Sequence, residues 1–301
     1  MSGDLQLGLR IDADTFRGTR DGIPALLKTL RKHEVTATFF FCFGPDNMGR
    51  HLLRLRHPSF IAKMWRSRAV RLYGWDILFR GLLTRGPLIG KRLAAVIRDT
   101  ANEGHEVGLH AWNHFGWQNA ALTPRACVYI REDLRCGVEA FKELLGRVPD
   151  CSAAPAWLGT KDALALKTTY PFRYNSDCRG ESVFRPVARD SALQLQPQVP
   201  TTLPVYDEVI GRDGVTDDNY NAFILSRLRP GRLNVLTIHA EVEGIACVEI
   251  FDRFLDQLRD RGIGVCGLGS LLDQMGVVPP GGIELRAVPG RQGVVAVQTL
   301  I

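Results

Sequence analysis

Residues 5–43, LQLGLRIDADTFRGTRDGIPALLKTLRKHEVTATFFFCF, decide the fold class. Leu7, Leu9 and Ile11 alternate with other residues until the acids begin at Asp12, the two-residue period of a strand. Arg20 to His33 places Ile23, Leu26, Leu27 and Leu30 at helical spacing. Thr36 to Phe43 is a continuous β-branched and aromatic run, the pattern of a strand buried on both faces. Strand, helix and strand in so short a span open a βα alternation and predict a parallel sheet or barrel. The alternation resumes further on. Strands are expected at Glu106–His110, Cys151–Ala154, Phe172–Ser176, Asn234–His239 and Gly264–Leu268, and helices at Pro124–Leu145, Lys161–Lys167, Asp218–Leu228 and Cys247–Arg261.

Residues 46–100 interrupt that rhythm and read as two or three short helices inserted after the second strand. Between His51 and Arg98 stand eleven Lys/Arg and one acid, Asp76, interleaved with Phe60, Met64, Trp65, Leu72, Trp75 and Phe79. A solvated helical face would carry such charge, and nucleic-acid binding would use it with Tyr73 and Trp75 as stacking platforms. The density of Leu and Trp favours an anionic membrane surface, and no nucleic-acid partner is expected. Each basic residue held near such a surface contributes about 1 kcal/mol, so a handful suffice for reversible docking. Beyond Met275 the chain is rich in Gly, Pro and Val. We expect a single domain over 1–275 and a flexible C-terminal tail over 276–301.

The 301 residues are 45% apolar and 23% charged, an ordinary globular composition. Seven dispersed cysteines without a CxxC argue against a disulfide framework or a Cys-rich zinc site, and fit a reducing, cytosolic setting. Charges run through the first thirty residues, so no signal peptide is visible, and no uncharged apolar stretch is long enough to span a bilayer. GxSxG, P-loop and GxGxxG sequences are absent, which removes the usual serine-hydrolase and nucleotide-cofactor signatures.

Asp12 and Asp14 sit two apart at the end of the first strand, so both carboxylates can enter one space, as a metal ligand and a general base or as an Asx turn and helix cap. In HEVGLHAWNH, residues 105–114, His110 and His114 can converge on one point, on a helical turn or across a tight loop, and so hold a transition metal. His239 ends the strand VLTIH, where active-site residues collect in parallel α/β folds. Glu241 and Glu243 read as solvated or structural.

Together the stretches LRIDADTFRGTR, FGPDNMGRH, YGWDIL, HEVGLHAWNH, YNSDCRG, DEVIGRD and TIHAEVEG resemble the polysaccharide deacetylases (NodB-like, carbohydrate esterase family 4). Within that family they are similar to the bacterial 4-deoxy-4-formamido-L-arabinose-phosphoundecaprenol deformylases. The resemblance runs from about residue 7 to 250. It implies an α/β fold, a distorted (β/α)7 barrel of the polysaccharide deacetylase type, with its site at the C-terminal ends of the strands. It implies one divalent transition metal (Zn, Mn, Co or Ni) held by Asp14, His110 and His114. Asp12 would be the general base, His239 the general acid, and Asp177 the acid that tunes the histidine. Ala13 splits the acid pair that the family has adjacent. The fourth-strand motif reads Ala153-Ala154-Pro155-Ala156-Trp157 and lacks the Arg that orients the base, leaving Arg10 or Arg179 to substitute. Trp112 and Trp157 are candidates for the wall that admits formyl and excludes acetyl, and a backbone N–H near Pro155 for holding the oxyanion. The substrate implied is undecaprenyl-phosphate-linked formamido-arabinose, deformylated at the cytoplasmic face of the bacterial inner membrane by a peripheral enzyme, for lipid A modification and resistance to cationic antimicrobial peptides. The alternatives are a metal-dependent deacetylase of another soluble or nucleotide-linked amino sugar, or a non-catalytic barrel with a relict metal site.

Overall fold

The computed structural model describes residues 5–50, 86–187 and 193–301. Its main sheet has seven parallel strands: β1 (Gln6–Ala13), β2 (Thr38–Cys42), β3 (Glu106–Ala111), β4 (Cys151–Ser152), β5 (Tyr174–Asn175), β7 (Val235–His239) and β8 (Gly264–Cys266). The order is β5-β4-β3-β2-β1-β7, with β8 pairing to the opening residues of β1. The helices are α1 (Ile23–Lys32), α2 (Ile89–Arg92), α3 (Ala94–Asn102), α4 (His114–Ala120), α5 (Ala126–Leu145), α6 (Lys161–Lys167), α7 (Tyr206–Val209), α8 (Tyr220–Leu225), α9 (Val248–Asp260) and α10 (Leu268–Asp273). The two edges of the arc are joined by an irregular segment. Gln198 bridges to Asn175 on β5, and the Thr202 and Leu203 N–H groups both donate to the Val235 carbonyl at 3.1 Å. The expected α/β barrel is therefore present, distorted where a regular strand would have closed it.

The strand period sorts β1 into two faces. Leu7, Leu9, Ile11 and Ala13 are fully buried in the main core with Ile23, Leu26 and Leu30 of α1. Gly8, Arg10 and Asp12 occupy the opposite face, toward the barrel interior, where Phe40, Cys151, Tyr174, Val199, Val235 and Leu268 form a second apolar cluster. The parallel register sets Asp12 beside His239 on β7 and beside Phe40 on β2. Partners in a parallel ladder project to the same side, so Asp12 and His239 share the interior face.

Two expectations are corrected. The C-terminal part of the expected insertion belongs to the barrel: β2 and β3 are parallel neighbours, such a pair needs a crossover, and α3 is in that connection. Residues 276–301 are not a flexible tail. β9 (Pro280–Ala287) and β10 (Val294–Thr299) form an antiparallel hairpin, extended by β6 (Arg185–Pro186) into a three-stranded sheet. Val295 and Ala296 are buried, and the hairpin is tied to the barrel by Arg179 N–H to Ala296 C=O and Gln298 N–H to Arg179 C=O, both 2.8 Å.

Residues 51–85, which carry most of the expected basic and aromatic docking surface, lie outside the described residues. Their flanks are fastened together at the end of β2: Pro45 and Leu88 form an antiparallel bridge, and Ile89 and Gly90 donate to Gly44 and Phe43 at 2.9 Å. No helix among the described residues is long and apolar enough to cross a membrane.

Candidate active site

The ends of β1, β3 and β7 deliver their side chains to one rim. Asp14 follows β1, His110 lies near the end of β3, and His114 opens α4, whose cap Asn113 accepts the Gly116 N–H at 3.1 Å. His110 and His114 thus meet across a strand-to-helix turn. Asp14 Oδ1 lies 3.1 Å from His110 Nε2, and its Oδ2 lies 3.3 Å from His114 Nε2. One ligand atom from each of the three falls within 4.8 Å of the others.

These donors suit a cation. Asp14 Oδ1 is buried and has no hydrogen-bond partner among the described residues, with the His110 Nε2 beside it. His110 Nδ1 donates to the Ala153 carbonyl at 2.9 Å, which fixes the tautomer and turns Nε2 toward Asp14. Burial lowers the His114 pKa to about 4 despite the opposing charge of Asp14, keeping its ring neutral, the ligating form. Burial would raise the Asp14 carboxyl pKa, but its proximity to His114, His110 and His239 places it below the ordinary carboxylate range. A mixed N/O set of this kind accommodates a divalent transition metal without selecting one. A second trio, His33, Asp252 and Asp256, is already engaged in ion pairs with Lys32 and Arg259.

Asp12 faces the same space, 3.9 Å from His110 Nε2. Arg10 grips it in a fork, Nε to Oδ1 at 2.8 Å and Nη2 to Oδ2 at 2.7 Å. The same guanidinium donates through Nη1 to the Ser176 carbonyl and hydroxyl, and lies 5.2 Å from the ring centres of both Phe40 and Trp157. Desolvation pushes the Asp12 pKa up, while Arg10 and His110 more than reverse it, so the carboxylate stays charged. Of the two arginines expected to substitute for the missing motif residue, Arg10 contacts Asp12. Arg179 is paired instead with Glu208 at 3.1 Å and donates to the Leu203 carbonyl at 2.8 Å.

His239 is half-buried, and its desolvation would lower its pKa, but Asp14, Asp12, Asp207 and Glu243 together raise it above the ordinary value. Its backbone N–H donates to Glu243 at 2.9 Å. Glu241, also buried, accepts the Thr15 N–H and hydroxyl at 2.9 and 2.6 Å. The two glutamates are structural and not solvated.

Asp177 is not placed to tune His239. Its Oδ1 takes the buried Lys167 ammonium at 2.5 Å and the Ala154 N–H at 2.7 Å. That N–H, close to Pro155, is therefore engaged, which removes it from the expected oxyanion role. Asp207, in the DEVIGRD stretch, is among the acids whose charge raises the His239 pKa, after Asp14 and Asp12. Trp157 presents its edge to His239 at 6.5 Å between ring centres, whereas Trp112 packs on Gly44, where any Cβ would stand 2.7 Å from its ring. Sequence reading also missed Asp133 on α5. It accepts the Trp112 and Asn113 N–H groups at 2.9 and 2.8 Å and so fixes the turn between the two histidines.

The family model described as polysaccharide deacetylase matches residues 9–174, more than half of the 301-residue chain. The chain belongs to the polysaccharide deacetylase family. Among curated relatives, it is 47% identical over 270 residues, 89% of this chain and 86% of the relative, to a Shewanella sediminis (strain HAW-EB3) protein named "Probable 4-deoxy-4-formamido-L-arabinose-phosphoundecaprenol deformylase ArnD". A Wigglesworthia glossinidia brevipalpis protein of the same name is 38% identical, covering 94% of this chain and 99% of its own. A crystallised Mycobacterium smegmatis protein named for the polysaccharide deacetylases superposes with a TM-score of 0.63 at 16% identity, covering 97% and 96% of the two chains. The family 4 carbohydrate esterase from Streptomyces lividans gives 0.51 at 13% identity, covering 92% and 99%. These structures bear on the deacetylase fold alone.

Proposed function

We propose that this protein hydrolyses the N-formyl group of undecaprenyl-phosphate-linked 4-deoxy-4-formamido-L-arabinose, yielding formate and the 4-amino sugar. The observation that carries the reading is the meeting of Asp12, Asp14, His110, His114 and His239 at one barrel rim. The 47%-identical relative named for this reaction supplies the substrate.

Asp14, His110 and His114 would hold a divalent cation, which supplies Lewis acidity toward an amide carbonyl and a lowered pKa for water. Asp12, charged and aimed by the Arg10 fork, accepts the proton of the attacking water. His239, kept basic by the surrounding carboxylates, carries the proton that the departing amine needs as the C–N bond breaks. Trp157, against His239, is our candidate for the wall that excludes the acetyl methyl group. We place the reaction at the cytoplasmic face of the inner membrane, with residues 51–85 on the anionic leaflet.

The decisive experiment pairs metal analysis with formate release from the lipid-linked formamido sugar. Asp14→Ala should lose bound metal and turnover together, and an active, metal-free variant would sink the mechanism. His239→Ala should keep the metal and lose turnover. Release of acetate from soluble acetamido sugars in place of formate would favour the deacetylase alternative.

A further inference from the structure

Three guanidinium groups surround the Trp157 ring: Arg10 and Arg179 at 5.2 Å from its centre and Arg291 at 4.5 Å. Arg10 is matched by Asp12. Arg179 and Arg291 share one carboxylate, Glu208, each reaching it at 3.1 Å. Among the described residues neither has another acidic partner, so two positive charges meet one negative charge. The cluster is largely dry, with side-chain exposures of 11% for Arg179, 14% for Arg291 and 2% for Glu208. Arg291 Nε is buried and has no hydrogen-bond partner among the described residues. A buried, unmatched guanidinium is expensive unless an anion completes it.

The surroundings are built to hold this arrangement. The β9–β10 turn carries Arg291, and Gly290 at φ +85° lies where a Cβ would stand 2.3 Å from the Glu208 carbonyl oxygen, so only glycine lets the turn come so close. β10 is hydrogen-bonded to the backbone of Arg179 itself. Ala156 and Trp157 both adopt φ +54°, a left-handed conformation costly for residues with a side chain. The Trp157 indole is then anchored by donating to Thr201 Oγ1 at 3.0 Å.

We propose that Arg179 and Arg291, stacked on Trp157, form the subsite for a phosphodiester. The inference rests on the deformylase reading and names the part of that substrate which these residues recognise. A phosphodiester carries a single negative charge, which matches the single charge left over, and guanidinium forks bind phosphate oxygens in pairs. Trp157 contacts both the arginines and His239, so one ring links the anion site to the reacting end. The C-terminal hairpin thereby becomes part of the substrate-binding machinery.

The test compares formate release from two soluble probes, the formamido-arabinose methyl glycoside and the same sugar joined to farnesol through a phosphodiester. The wild-type protein should prefer the phosphodiester. In Arg291→Gln that preference in kcat/KM should fall about tenfold or more, chiefly through KM, with Arg291→Lys in between. If glutamine unfolds the hairpin, as a thermal melt would reveal, the lysine variant and the salt dependence of the wild-type KM decide instead. Added salt should weaken the phosphodiester and spare the glycoside. Equal losses on both probes, or a preference that neither the variants nor salt alters, would overturn the subsite while leaving the deformylase reading intact. Release from neither probe by the wild type would overturn both.

Discussion

Arg10 has almost no freedom: two rings flank it, Asp12 and Ser176 take its donors, and it has no exposed surface. Removing one member of a buried pair leaves the other charge unmatched, at about 3–5 kcal/mol. Arg10→Met should therefore lower the melting temperature and, by allowing Asp12 to protonate, abolish formate release. Arg10→Met/Asp12→Asn should recover much of the stability and none of the activity; wild-type turnover in the single variant would refute Arg10 as the residue that orients the base. Asp133 gives a pH signature. Burial raises its pKa from the ordinary 3.8 to about 7, against the pull of the two N–H donors. Folding therefore takes up a proton. The stabilising contribution is full below the unfolded value and is lost as the pH rises toward 7, with a slope up to about 1.4 kcal/mol per pH unit. Urea melts of metal-free protein between pH 4 and 8 should show this fall, to which Glu241 and Glu243, raised by burial to about 8 and about 7, also contribute, and Asp133→Asn should make it shallower.

At the scale of elements, α1 ends in a Schellman motif. Glu34 N–H donates to Arg31 C=O and Val35 N–H to Leu30 C=O, with Glu34 at φ +54° and exposed. Glycine occupies that conformation without strain, so Glu34→Gly should stabilise the protein by about 0.5–1 kcal/mol in chemical denaturation. A loss of stability there would contradict the cap geometry. The βα alternation was legible because β1, α1 and β2 each obey one period over consecutive residues. Asp12, Asp14, His110 and His114 were legible for a related reason, since their spacing is local. The hairpin was not. β9 carries two adjacent glycines near its start, Gly281 and Gly282, and is exposed over its outer residues 284–287, while the burial of Val295 and Ala296 depends on partners far away in sequence. The same distance hid Glu208 and Arg291, whose pairing joins positions 83 residues apart. Asp177 was misassigned because motif position says nothing about Lys167, which reaches it from α6.

For the molecule as a whole, the rim that carries Asp12, Asp14 and His110 also carries the base of the basic segment. Asp46 accepts the Phe16 N–H at 3.0 Å, just beyond Asp14, and Gly44 donates to Trp112 C=O at 2.8 Å, between the two histidines. Replacing residues 51–85 with a short Gly/Ser linker should abolish sedimentation with anionic liposomes while metal content stays at the wild-type level. Undiminished liposome binding would defeat the docking assignment. The paired Pro45 and Leu88 have a further implication. Because the chain departs and returns through one clamp, the entropy of closing the excursion grows by only about 0.6 kcal/mol for each doubling of its length. Spacing between the paired positions is thus a soft constraint: a protein with residues added or removed between Pro45 and Leu88 should keep the clamp and the catalytic rim beside it.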